Sequence, residues 1–329
     1  MRQQKRKRGS HRSRVTAGAS ALTLRPLTSV VPTNRAGVVF SRHLVARALS
    51  VLGPPLKGSS FMRVERPASS GPTVRGEWVR APGARREDAA LLYVHGSAYA
   101  LCSSKTHRGI TTRLSARTGL PVFSCDYRLA PHHAFPCAAD DVRAAYDWLL
   151  GEGHDPSRIV VAGDSAGGHL AVDLALELIR EGRTPPVALA LLSPVLDLSL
   201  SLAATRERMQ RDPMISAARA ARLVDLYVAG NESPRLRFSF DGAADFPPTL
   251  VHAGAREMLV GDATELARLL EECGASCRLE IWPDQMHVFQ ALTRVVPEAE
   301  DALENIARFL SDELDVAARR SRLTLVKGA

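Results

Sequence analysis

The sequence predicts an α/β fold, a mostly parallel central sheet flanked by helices on both faces. Three observations carry that reading. Short apolar runs bounded by Gly, Pro, Asp or Asn alternate with longer amphipathic stretches through most of the 329 residues, the pattern of buried parallel strands joined by crossover helices. The composition, 45% apolar and 24% charged, supports a large core and excludes disordered, collagen-like and coiled-coil chains. No run of about 18 apolar residues occurs, so no membrane-spanning helix is expected.

In chain order, residues 1–64 hold 13 of the 43 Lys and Arg and none of the 35 acidic residues, so the rest carries 30 bases against 35 acids. The net charge of +8 therefore belongs to the leader. Residues 1–35 lack the apolar core of a signal peptide. Their basic residues offer phosphate contacts but no base-reading element. They read as a disordered leader, or as translation upstream of a start at Val30 or Val31, whose loss should change little. Residues 38–60 begin as an amphipathic helix and end in a Pro/Gly turn.

Strands are expected at Thr73–Val79, Ala90–Val94, Pro121–Tyr127, Arg158–Ala162, Val187–Leu192, Thr249–Ala253 and Cys277–Trp282. Helices are expected at Arg108–Thr118, Ala138–Leu150, Ala166–Arg180, Asp262–Cys273 and Glu298–Leu314. In Asp262–Cys273 the stripe Leu266, Leu269, Leu270 faces one side and Gly274 ends the helix. Residues 196–245 interrupt the alternation with a polar helical stretch. With 38–60 they form a candidate helical lid over the sheet's carboxyl edge, where α/β proteins keep their sites. One domain is expected over 36–318, with a basic tail over 319–329. The five cysteines, Cys102, Cys125, Cys137, Cys273 and Cys277, are odd in number and scattered, which argues against a disulfide framework and for a reducing, cytoplasmic setting. Cys273 and Cys277 lack the second pair a zinc site needs, so no metal is expected.

The sharpest motif is Gly163-Asp164-Ser165-Ala166-Gly167, between an apolar strand and an amphipathic helix. A strand-to-helix turn this tight admits only small flanking residues and leaves the serine Oγ exposed at the sheet edge, so Ser165 is the expected nucleophile. Directly after the apolar run Ala90–Val94 lies His95-Gly96-Ser97-Ala98. Small residues there let backbone N–H groups approach a developing oxyanion, and the hole is assigned to the N–H groups of Gly96, Ser97 and Ala166. His95 is then structural, shaping the loop. The base must come late in the chain, and His287, in the loop after Cys277–Trp282, is the histidine so placed. His132 and His133 precede the serine, and His107 and His154 read as solvated. For the orienting acid, Glu257 lies in the loop after Thr249–Ala253, while Asp262 falls where a helix N-cap belongs, with Glu265 completing a capping box. Glu257 is favoured as the acid; the reverse assignment stays open.

Residues 88–310 resemble the hormone-sensitive-lipase family of α/β-hydrolases. The residues that carry the resemblance are HGSAY, the stretch Asp126-Tyr127-Arg128-Leu129-Ala130-Pro131, Phe135-Pro136 with Ala139-Asp140-Asp141, and GDSAGGHLA. The family places its acid thirty residues before the histidine, which fits Glu257 and His287, although most members use Asp there. Two departures stand out. The oxyanion loop has Ser97 where the family usually has Gly, and APHH replaces the usual APEH, exchanging a glutamate for His132.

The resemblance implies a serine acyl hydrolase working through an acyl-enzyme without metal or cofactor. The expected substrate is a small-molecule ester or N-acetylated compound carrying a short acyl group. Some actinomycete members resemble acetyl-hydrolases of antibiotic biosynthesis, and the Ala- and Arg-rich usage suits a high-GC organism. The alternatives are a general short-chain carboxylesterase and a catalytically silent ligand-binding homologue, like the plant hormone receptors that lost the histidine. Neither a nucleic-acid nor a membrane partner is expected.

Overall fold

The protein is described from a computed structural model, which covers residues 8–67 and 71–327, with side chains through residue 320. The chain runs α1 (His11–Val30), α2 (Arg35–Leu52), β1 (Ser60–Arg66), β2 (Val74–Arg80), β3 (Ala90–Val94), α3 (Arg108–Thr118), β4 (Val122–Cys125) and α4 (Cys137–Gly151). It continues with β5 (Ile159–Asp164), α5 (Ala166–Arg180), β6 (Leu189–Leu192), α6 (Ser201–Met209), α7 (Ala217–Val228), β7 (Thr249–Gly254), α8 (Val260–Glu272), β8 (Cys277–Trp282) and α9 (Glu298–Lys327). The described strands form one sheet in the order β1-β2-β4-β3-β5-β6-β7-β8, parallel from β4 to β8, with β1 and β2 antiparallel at one edge. No helix among the described residues is long and apolar enough to cross a membrane.

Alternation along the central strands divides the core. Leu92, Val94, Ile159 and Val161 pack with α4, α5 and α8 on one face; Leu91, Tyr93, Val160 and Ala162 pack with α3 and α9 on the other. Burial on both faces is why these strands read as unbroken apolar runs. The exception is β1, whose SFMRVER buries only Val64. It is an edge strand with no apolar rhythm, and the sequence alone assigns no element to residues 61–66.

Two expectations about the termini are corrected. Residues 1–7 lie outside the described residues, but from His11 the leader is a docked helix rather than a disordered segment. Its buried face is small, Ser13, Ala17 and Ser20, so it lacks the apolar stripe by which docking is normally read. Polar contacts hold it instead. Glu298 accepts from Ser10 N at 2.5 Å and from Ser13 Oγ at 2.5 Å. Arg25 pairs with Glu207 at 2.6 Å. At the other end, the expected tail from Arg319 continues α9 as far as Lys327.

Candidate active site

Five loops leave the carboxyl ends of β3, β5, β6, β7 and β8, and all five reach one point on that edge. The loop after β5 carries Ser165. Its backbone stands at φ 52°, ψ −119°, a conformation that non-glycine residues rarely hold without support. The support is close packing. A Cβ on Gly167 would lie 2.0 Å from Val94 O, so α5 starts against β3 with no room for a side chain. Gly163 pairs in register with Val94 in the same crowded corner. Ala166, the first residue of α5, has its N–H free of an intrahelical partner by position.

Gly96 and Ser97 follow β3. A Cβ on Gly96 would meet Asp164 Oδ2 at 2.3 Å and Ser165 Cβ at 2.9 Å, which puts this backbone directly beside the serine. Ser97, Ala98 and Tyr99 run consecutively at φ 78°, 51° and 58°. Ser97 thus occupies a left-handed position that favours the family's glycine. Its Oγ lies 3.0 Å from Cys102 Sγ, a contact glycine could not make.

His95 faces inward, as a structural residue should. Its ring stacks on Tyr127 at 4.2 Å, and Tyr127 OH donates to His95 O at 2.8 Å. Burial, then the neighbouring His107, push its pKa down to about 4, so the ring is neutral. His107 corrects the sequence reading: it is buried and sits 3.3 Å from Asp164 Oδ1. Burial works against its charge, but Asp164 prevails and raises its pKa. Tyr93 OH donates to the same Asp164 oxygen at 2.7 Å. Asp164, the variable residue of the nucleophile motif, is therefore the hub behind the loop, and nothing in the motif announces it.

His287 Nε2 lies 3.0 Å from Ser165 Oγ, and its Nδ1 lies 3.5 Å from Glu257 Oε2. Burial disfavours the imidazolium, but Glu257, followed by Asp212 and Asp164, holds the His287 pKa above its ordinary value. Glu257 is itself buried, and its Oε2 accepts from Ser193 Oγ at 2.7 Å. Ser193 Oγ in turn accepts from Val288 N at 3.1 Å, tying the acid to the histidine loop. His132 and His133 are exposed.

Asp262 is brought elsewhere. It is not an N-cap: α8 starts at Val260, and Glu265 pairs with Arg268 rather than closing a capping box. Asp262 is fully buried and accepts from Leu196 N and Asp197 N, each at 3.0 Å. Desolvation dominates over those bonds and pushes its pKa up to about 7.

Two residues absent from the sequence reading belong to this region. Ser193 follows β6 at φ 50°; a serine at the carboxyl end of a central strand was the available signal. Asp212, fully buried, accepts from Met214 N at 2.7 Å and from Met258 N at 2.9 Å, gripping the residue after Glu257. Arg25 of α1 donates to Asp212 O and also pairs with Glu207. Thr28 Oγ1 donates to Met214 O at 3.0 Å. Gly9 N donates to Asp284 Oδ2 at 3.0 Å, in the histidine loop. The leader, from Gly9 into α1, thus braces both the loop of Glu257 and the loop of His287.

The sequence pattern of the family described as alpha/beta hydrolase fold matches residues 91–291. The chain belongs to the α/β-hydrolase family. The hydrolase is 34% identical over 322 residues to the carboxylesterase/phospholipase LipF of Mycobacterium tuberculosis, covering 91% of this chain and 81% of that protein. It is 37% identical over 238 residues to an acetyl-hydrolase of Streptomyces hygroscopicus, covering 71% and 78%. An esterase of the bacterial hormone-sensitive lipase family superposes with a TM-score of 0.80 at 32% identity, covering 93% and 99%. The hydrolase is accordingly a serine ester hydrolase of that family.

Proposed function

We propose that this hydrolase releases a short acyl group, acetyl foremost, from a small-molecule ester or N-acetylated substrate, with Ser165 as nucleophile, His287 as base and Glu257 as orienting acid. The observation that carries the reading is the His287 ring, whose two nitrogens face Ser165 Oγ and Glu257 Oε2 at 3.0 and 3.5 Å. His287 Nε2 takes the Ser165 proton as Oγ bonds to the carbonyl carbon. The N–H groups of Gly96, Ser97 and Ala166 receive the oxyanion, each donor contributing about 3–4 kcal/mol. Collapse breaks the bond to the alkoxide or amine, which takes the proton back from His287. Water repeats the sequence and frees the acid. A filled triad speaks against the silent binding homologue.

The short-acyl preference is supported by the acetyl-hydrolase among the relatives and by the confinement of Ser165, which is only 9% exposed. An acyl chain gains about 0.8 kcal/mol per buried methylene only while the pocket has room. A series of nitrophenyl esters should therefore peak between acetyl and butyryl and be negligible beyond roughly ten carbons. Peak activity on long-chain triglyceride emulsions would refute this. An N-acetylated peptide assayed beside the series tests the deacetylase branch; cleavage of it favours a deacetylation step in antibiotic biosynthesis, and its absence leaves a general short-chain carboxylesterase.

A further inference from the structure

A cavity of about 540 Å³ opens beside the site, between α2, the β1–β2 hairpin and the loops around 102–105 and 126–133. His95 and Tyr127 line it, whereas Ser165, Glu257 and His287 do not. Its charge is one-sided: five Arg and Lys side chains and two exposed histidines against a single acid, Asp126. That acid is already engaged, accepting from Ser104 N at 2.7 Å and Ser104 Oγ at 2.9 Å. Two of the cations are neutralised, Arg75 by Glu65 at 3.1 Å and Arg128 by Asp141 at 2.8 Å.

Arg42, Arg63 and Lys105 have no carboxylate partner among the described residues. Arg63 and Lys105 are exposed, but Arg42 is half-buried and built in. Its Nε donates to Ala100 O at 2.8 Å and its Nη2 to Ala130 O at 3.0 Å. Those carbonyls orient the guanidinium without neutralising it, and burial, unopposed by any acid, draws its pKa down. A fixed guanidinium with uncompensated charge, flanked by two further cations, is a receptor for an oxyanion. His132, where the family motif carries glutamate, removes an acid from the same rim.

We propose that this cavity binds the carboxylate or phosphate group of a small molecule. The wall it shares with the loop carrying Gly96 and Ser97 allows the group to be part of the substrate, an extension that rests on the hydrolytic reading above. The test titrates inorganic phosphate calorimetrically into the full chain at low salt. In parallel, KM is compared for the acetyl ester of 4-hydroxybenzoate and that of its neutral methyl ester. Both are repeated with the double variant Arg63→Ala, Lys105→Ala, which touches no proposed catalytic group.

Phosphate should bind, weaken with salt, and lose about tenfold in affinity in the double variant, with neutral-ester hydrolysis unchanged. A KM about tenfold lower for the charged ester, abolished in the variant and competed by phosphate, assigns the site to a substrate-borne group. Phosphate binding with equal KM values assigns it to a free anion. No phosphate binding together with equal KM values overturns the site, as does a double variant that binds phosphate like the parent. A chain that fails on the neutral ester refutes the hydrolytic reading and leaves the calorimetric arm intact.

Discussion

Ser165 is fixed by the backbone around it. The close approach of Gly167 to Val94 O, which leaves no room for a side chain, locks β5, α5 and β3 into one corner, and every residue involved lies in the sheet or within three residues of it. Glu257 and His287 are fixed by hydrogen bonds to distant segments: Ser193 after β6, Asp212 between α6 and α7, and Arg25 and Gly9 in or beside α1. Ser165 is therefore as rigid as the sheet, while Glu257 and His287 are only as well placed as their hydrogen bonds. Such bonds contribute about 1 kcal/mol net each, so this half of the site is the more easily misaligned.

Removing the chemistry itself should have the largest effect and should not distinguish the halves. Ser165→Ala and His287→Ala are each expected to lower kcat by about 10⁴–10⁶-fold with the fold intact, because the groups act as a unit. Near-parental rates in either variant, by a nitrophenyl acetate assay, would remove the proposed triad. Glu257→Gln separates the halves. It should lower kcat by about 10²–10⁴-fold. Glu257 is also the main group raising the His287 pKa, and kcat/KM requires the neutral ring. The acidic limb of the parent's pH profile should thus lie above the ordinary histidine value of 6.5, and Glu257→Gln should move it to lower pH.

The same division explains what the sequence disclosed. Ser165, Gly163, Gly167 and the loop from His95 to Ser97 could be read because steric demands along a short stretch of chain leave few alternatives. Glu257 and His287 could be placed by their order after β7 and β8. Ser193, Asp212 and the Asp164–His107 pair could not, since each matters through a partner 46 to 95 residues away. The same holds for α1: a helix that docks through serines and an arginine has no apolar rhythm to read.

Loosening the brace should give an intermediate effect. Asp212→Ala leaves the N–H groups of Met214 and Met258 without their acceptor and withdraws a charge that supports the His287 imidazolium. A loss of about tenfold in kcat is expected, with KM little changed and the acidic limb again shifted down. Deleting residues 1–31 removes the contacts of Gly9, Ser10, Ser13, Arg25 and Thr28 together. At about 1 kcal/mol per bond, stability should fall by about 2–4 kcal/mol and kcat by several-fold. Unchanged melting temperature and turnover would return the leader to the dispensable segment its composition suggested.

The smallest expected effect belongs to Asp262, and it sharpens the choice between two carboxylates five residues apart. Asp262 is buried with a folded-state pKa of about 7 against an ordinary 3.8. Folding therefore favours its protonated form, and the associated stability is full below about pH 4 and lost as pH rises through 7. Asp262→Asn keeps an oxygen to accept from Leu196 N and Asp197 N and cannot ionise. Its thermal stability should match the parent near pH 4 and exceed it increasingly as pH rises to 8, with kcat within about twofold across the range, since Asp262 is not among the main groups that shift His287. A large kcat loss in Asp262→Asn beside a mild one in Glu257→Gln would exchange the two roles. Equal pH dependence of stability in parent and variant would mean that Asp262 reaches water and ionises normally.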